Sequence, residues 1–205
     1  MRVLRSAERF TSVQPGIVTR HCFSAGAHYD PDRLGVGALI GVDEHRLEPG
    51  AGFGNHAHRG VDIVSRVVTG TLRHEDDAGR VRLVPPVAVQ VQTTGSGIRH
   101  REVNATDAYP LILIQMTLVG ETAEPDYRCT FKTVVTLPGG TLIVLSDDAT
   151  VEAPLIHAFV VGGSWTADGT ALRRGDSVTA RTSLGLAGSG EMLVWKLADP
   201  SRVDQ

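Results

Sequence analysis

The chain has 205 residues, 41% of them hydrophobic and 21% charged, with a formal net charge of −3. Such a composition describes a soluble globular protein with room for one large domain or two small all-β ones. The acidic balance, with no basic run, argues against direct binding to nucleic acid, which needs a clustered basic surface. No stretch approaches the roughly 20 apolar residues of a membrane span. Residues 1–10 lack the apolar segment of a signal peptide, so a cytoplasmic protein without membrane association is expected. Cys22 and Cys129 stand alone, in neither a disulfide framework nor a C-x-x-C pair, and read as reduced thiols.

Helix signals are almost absent, and the apolar pattern has period two nearly everywhere. Glu48-Pro49-Gly50 marks a turn, and Asp76-Asp77-Ala78-Gly79 joins two strand-like runs, 71–75 and 80–84, as a hairpin. Val87, Val89 and Val91 alternate with Ala88, Gln90 and Gln92, which predicts a strand with one wet or lined face. Thr94-Gly95-Ser96-Gly97 is a further turn. Residues 111–118 are apolar on both faces except for Gln115 and Thr117, which point the same way as Leu113; this predicts a strand between two layers. The pattern lapses over residues 119–130, a seam, and then restarts at 141–146, 156–162, 171–174, 177–180 and 192–197. Turns are expected at Pro138-Gly139-Gly140, Gly162-Gly163 and Gly188-Ser189-Gly190. Short strands punctuated this regularly imply a sandwich or barrel.

Seven of the eight histidines lie before the seam, and His157 alone lies after it. His56 and His58 are two apart, so on a strand both imidazoles face one side. His100 and Glu102 repeat that spacing after another glycine turn. On neighbouring antiparallel strands the two pairs would surround one ion with three imidazoles and a carboxylate. That donor set suits Fe(II), Mn, Co, Ni, Cu or Zn without distinguishing them. Four protein ligands leave one or two positions open, as a catalytic site requires.

The pattern Gly50-x5-His56-x-His58-x3-Asp62-x7-Gly70 nearly reproduces the first cupin motif. Gly79-x5-Pro85, followed after a gap by Gly97-x2-His100-x3-Asn104, resembles the second. The first half further resembles pirin and the bacterial pirin-like quercetinases. The resemblance runs through Thr19-Arg20-His21-Cys22-Phe23-Ser24, Gly52-Phe53-Gly54-Asn55-His56-Ala57-His58-Arg59, the hairpin from Val68 to Gly79, and Thr94-Gly95-Ser96-Gly97-Ile98-Arg99-His100 with Glu102 and Asn104. It covers residues 14–118.

The resemblance implies an all-β bicupin of two jelly-roll barrels. Residues 1–120 would form the metal-binding barrel, and residues 121–205 a shorter, degenerate, metal-free one that braces it. The ligands would be His56, His58, His100 and Glu102, with Fe(II) favoured and Glu102 doubling as general base. Asp62 replaces the family's Glu and is expected to orient a ligand or face the substrate. Thr117 stands where some relatives have Trp, implying a differently shaped or roomier pocket, which Gln115 would also line. Arg101 replaces a Ser and should point away from the metal. The implied activity is a dioxygenase similar to quercetin 2,3-dioxygenase, acting on a flavonol-like or other enolic substrate with O2. The alternative is a non-enzymatic, metal- and redox-responsive regulator that acts by contact with a protein partner.

The remaining residues read more plainly. His74 is expected at the surface or behind the ligands rather than among them. His21, His28 and His45 read as hydrogen-bonded structural residues, and Trp165 and Trp195 as core or interface aromatics. Glu75-Asp76-Asp77 reads as a solvated turn, lacking the spacing of a calcium loop. No nucleophile-elbow, Walker or Rossmann glycine pattern is present.

Overall fold

The alternating apolar pattern makes strands almost throughout; the only helical element among the described residues is a 3-10 turn, Ser6–Glu8. The computed structural model describes residues 1–120 and 124–199. The chain begins with β1 (Arg2–Leu4), β2 (Phe10–Gln14), β3 (Ile17–His21) and β4 (Leu39–Leu47). Next come β5 (Gly52–His58), β6 (Val61–Thr69), β7 (Leu72–Asp76) and β8 (Val81–Val84). β9 (Val89–Thr93), β10 (Ile98–Asn104), β11 (Leu111–Val119) and β12 (Asp126–Thr130) follow. The last are β13 (Val134–Leu137), β14 (Gly140–Leu145), β15 (Ala149–Ala167), β16 (Thr170–Leu172) and β17 (Ser177–Leu197).

The first unit sets a four-stranded sheet, β5-β10-β7-β8, against a seven-stranded one, β12-β9-β6-β11-β4-β3-β2. β11 is an interior strand, hydrogen-bonded to β4 on one side and β6 on the other. Each of its faces packs on a different core, which explains a sequence that is apolar except for Gln115 and Thr117. Leu113 faces the interior of the first unit with Val67, Leu72 and Leu111. Ile114, Met116 and Leu118 face the other way, into a core shared with Leu142, Phe159 and Trp195 of the second unit. The second unit is a sheet of order β13-β14-β17-β15-β16, with its own interior around Ile156, Val160 and Trp165. The architecture is an all-β bicupin built on the jelly-roll plan.

Two features of the second half differ from the sequence expectation. Gly162-Gly163 and Gly188-Ser189-Gly190 are not turns between strands but lie inside β15 and β17, each of which is long and bent. Residues 155–159 of β15 pair with both ends of β17, so Ile156 lies opposite Ala180 and also opposite Lys196. At the bends the two backbones nearly touch: a Cβ at Gly163 (φ +87°) would stand 2.7 Å from the Gly190 Cα. Only glycine allows that approach and that φ, so the glycines bend a strand instead of ending it.

The seam holds structure too. Residues 126–130, read as part of a polar lapse, form β12, an edge strand paired with β9 (Arg128 opposite Val91). Most of β12 is exposed, which is why its sequence is polar. β1 crosses in the other direction and pairs with β17, Val3 opposite Val178. Both cysteines are free, Cys22 buried and Cys129 exposed. No helix among the described residues is long and apolar enough to cross a membrane.

Candidate metal centre

β5 and β10 are antiparallel neighbours, with His56 opposite His100 and His58 opposite Ile98. The i, i+2 spacing on each strand therefore aims His56, His58 and His100 at one point. Their ring centroids are 4.5 Å (56–100), 4.7 Å (56–58) and 5.0 Å (58–100) apart. One nitrogen from each ring lies within 4.8 Å of the others, and Nε2 of His56 is 3.0 Å from Nε2 of His100. An ion held at about 2.0–2.1 Å from each nitrogen needs ligand atoms about 3 Å apart, so the three imidazoles fit a divalent transition metal.

The far nitrogens are committed elsewhere, which turns the near ones inward. His56 Nδ1 is 2.7 Å from the Gly54 carbonyl oxygen, and His100 Nδ1 is 2.8 Å from His74 Nε2. Such outer hydrogen bonds fix ring orientation and tautomer. His100 is buried, whereas His56 and His58 are half-buried, so the cluster opens outward past β5.

Glu102 sits one step inward from His100, after a bulge in the β10–β5 register. It lies within 4.8 Å of His100 and His74 in a second cluster, so His100 is common to both groups. Each carboxylate oxygen accepts an amide hydrogen from the opposite sheet. Gln90 Nε2 donates to Oε1 at 3.2 Å and Gln115 Nε2 to Oε2 at 2.9 Å. Tyr127, on β12, donates in turn to Gln90 Oε1 at 3.1 Å.

Burial lowers the His100 pKa to about 4, against the pull of Glu102, and the neighbouring histidines push it the same way as burial. Burial, followed by His56, lowers His58 as well. Both rings are therefore neutral near pH 7, the form that binds metal. For Glu102, burial opposes the charge, but His100 and the Gln115 and Gln90 amides outweigh it and hold the carboxylate ionised.

Thr117 lies opposite Ile63, two residues along from Gln115 on the same face of β11. Asp62 is not brought to the cluster. It is fully buried, level with Leu118 and Thr93, on the face of β6 opposite Ser65, the residue that accepts from Gln115. Neither Asp62 carboxylate oxygen has a hydrogen-bond partner. Arg101 is exposed and pairs with Glu75 at 2.8 Å. His45 and His21 sit within strands and bond to Thr19 (2.8 Å) and Asp43 (2.8 Å), while His28 reaches the Thr11 carbonyl oxygen at 3.1 Å.

Three participants were not singled out from the sequence: Gln90, Gln92 and Tyr127. The alternation of Gln90 and Gln92 with valines was the visible signal of a polar-lined face. Gln92 lies 3.0 Å from His74. Tyr127 gave no signal, because it reaches the site from the polar seam.

Converging imidazoles and a buried carboxylate on adjacent strands of a jelly roll define a cupin with a metal-type centre. The chain belongs to the pirin family, whose profile it matches over residues 3–118. A Mycobacterium tuberculosis protein whose name proposes quercetin 2,3-dioxygenase activity is 32% identical over 231 aligned positions, covering 96% of this chain and 95% of that protein. Quercetin 2,3-dioxygenase of Escherichia coli K12 is 37% identical over 101 residues, which are 49% of this chain and 44% of that one. The fold superposes on bacterial pirin YhhW of Escherichia coli, solved in complex with nickel(II). The TM-score is 0.87 with 24% identity, over 96% of this chain and 98% of that one.

Proposed function

We propose that this pirin is a metal-dependent dioxygenase of the quercetin 2,3-dioxygenase type, acting on a flavonol-like or other enolic substrate with O2. The observation that carries the reading is the Glu102 carboxylate, buried, ionised and gripped by two glutamine amides beside three converging imidazoles. The names of the mycobacterial and Escherichia coli relatives support it.

His56, His58 and His100 would hold one divalent ion, with Glu102 completing the set; we propose Fe(II), while Mn, Co, Ni, Cu and Zn suit the same donors. Such an ion supplies Lewis-acid and redox chemistry toward an enolic oxygen and O2. Glu102 acts as general base: the substrate O–H bond breaks, the proton passes to a carboxylate oxygen, and the electron pair stays on the enolate. The enolate is the electron-rich partner that O2 oxidises with ring cleavage, both oxygen atoms entering the products. Gln90 and Gln115 fix the carboxylate so that it is already oriented when substrate arrives. Gln115 and Thr117 line the approach to it. We assign residues 1–120 as the metal-binding unit, its sheet completed by β12 from the second stretch, and the remainder of residues 121–205 as its brace. No cluster of this kind occurs among the described residues of the second half.

The test is metal analysis of the purified protein beside His56→Ala, followed by oxygen uptake of the Fe(II)-loaded protein with quercetin and other enols. Stoichiometric metal lost in the variant, with uptake in the parent, is expected. Glu102→Gln should abolish turnover and leave metal partly bound; full activity in that variant would overturn the assignment of the base.

A further inference from the structure

We propose that a groove between the two units is a binding site for a compact, multiply charged oxyanion, a phosphate or polycarboxylate group of a small metabolite. The groove encloses about 410 Å³ and is lined by Arg9, Arg20, Arg46, Arg174 and Glu44, with Val18 and Ile112 as its apolar wall. Four arginines thus line it beside one carboxylate, in a chain whose overall charge is −3.

The register assembles these residues. Arg20 lies opposite Glu44, and Val18 opposite Arg46, on the outward face of β3 and β4. Arg174 reaches them from the turn before β17, and its Nη2 donates to Glu44 Oε1 at 3.0 Å. Arg9 forms the floor. Its side chain is 1% exposed, and its Nη2 donates to Glu44 Oε2 at 2.7 Å. Gly175 makes room for it, since a Cβ there would stand 2.6 Å from Arg9 Nη2.

The charges do not balance within the groove. Glu44 is shared between Arg9 and Arg174, so one carboxylate answers two cations. Nε and Nη1 of Arg9 are buried with no acceptor. Arg20 is exposed and makes no hydrogen bond or ion pair, and Arg46 is paired outside the groove with Glu48. The Arg9 guanidinium has Glu44 and Ser6 on Nη2 and lies 5.4 Å from the Phe159 ring centroid. Leaving its other two nitrogens without acceptors is nonetheless costly, and a cleft with low-dielectric walls concentrates its field on whatever enters. Guanidinium forks match phosphate and carboxylate oxygens alike. The groove lies on the outward side of the sheet whose inner side carries Gln115, so an occupant would touch none of the imidazoles.

The probes are inorganic phosphate and succinate, titrated calorimetrically into the metal-loaded protein and into His56→Ala. Saturable binding of either, equal in both proteins, is expected. Phosphate alone would assign the phosphoryl class, and succinate alone the carboxylate class. Arg20→Gln with Arg174→Gln removes two exposed partners without opening the core and should weaken binding about tenfold or more. Absence of saturable binding by both probes, affinity unchanged in the double variant, or binding lost in His56→Ala would each overturn the site.

Discussion

His74 Nε2 lies 2.8 Å from His100 Nδ1, on the side of the His100 ring away from the other two imidazoles. Binding an ion through Nε2 of His100 requires the ring proton on Nδ1, and His74, in the tautomer protonated at its own Nδ1, is the acceptor placed to keep it there. His74→Phe would keep an aromatic ring near Tyr127, whose centroid is 5.0 Å away, while removing that acceptor. Metal affinity should fall about 10–100-fold with an unchanged far-ultraviolet circular dichroism spectrum. A competition titration with a chelating dye measures it, and an unaltered affinity would show that His74 only fills space.

Tyr127→Phe should lower kcat about three- to tenfold while metal content and KM stay level. The hydroxyl holds Gln90, and Gln90 holds Glu102; losing one hydrogen bond of about 1 kcal/mol loosens the base by a corresponding factor. Steady-state oxygen uptake separates the constants, and a change confined to KM would count against this route.

His157 should make stability fall with acidification. Burial lowers its pKa from 6.5 to about 4, so between those values the unfolded chain binds a proton that the folded chain refuses. Stability is level above pH 6.5 and declines as pH drops toward 4. Urea unfolding at pH 7 and 4.5 should show the parent losing about 2–3 kcal/mol more than His157→Gln; equal losses would remove His157 as the cause.

Trp195→Ala should cost about 3–5 kcal/mol and still give a single unfolding transition. The indole is fully buried in the core common to both units, and its Nε1 donates to Met116 Sδ at 3.1 Å. Thermal unfolding followed by circular dichroism and by calorimetry tests this. Two separated transitions would mean that the shared core does not couple the units.

The parts of this molecule written in local periodicity could be read from its sequence. The i, i+2 pairs of β5 and β10 gave the imidazole cluster, and the two covered faces of β11 showed in its apolar run. What depends on tertiary register could not be read. Asp62 follows His58 by four residues, but the chain reverses at Gly60 (φ +66°), and the new strand presents Asp62 to the other side. Tyr127 belongs to an edge strand whose polarity hid it. The glycines of β15 and β17 read as turns because glycine's freedom serves a bend inside a strand as well as a break between strands.

The crossing of β1 and β12 gives the seam a meaning that a line drawn on the sequence would miss. Each unit borrows a strand from the stretch of chain that encodes the other. A gene divided between the codons for residues 120 and 124 would therefore yield two fragments, each displaying a bare sheet margin where the other's strand had lain. Such fragments would be poor proteins alone and natural complementation partners together, recovering their shape only when co-expressed.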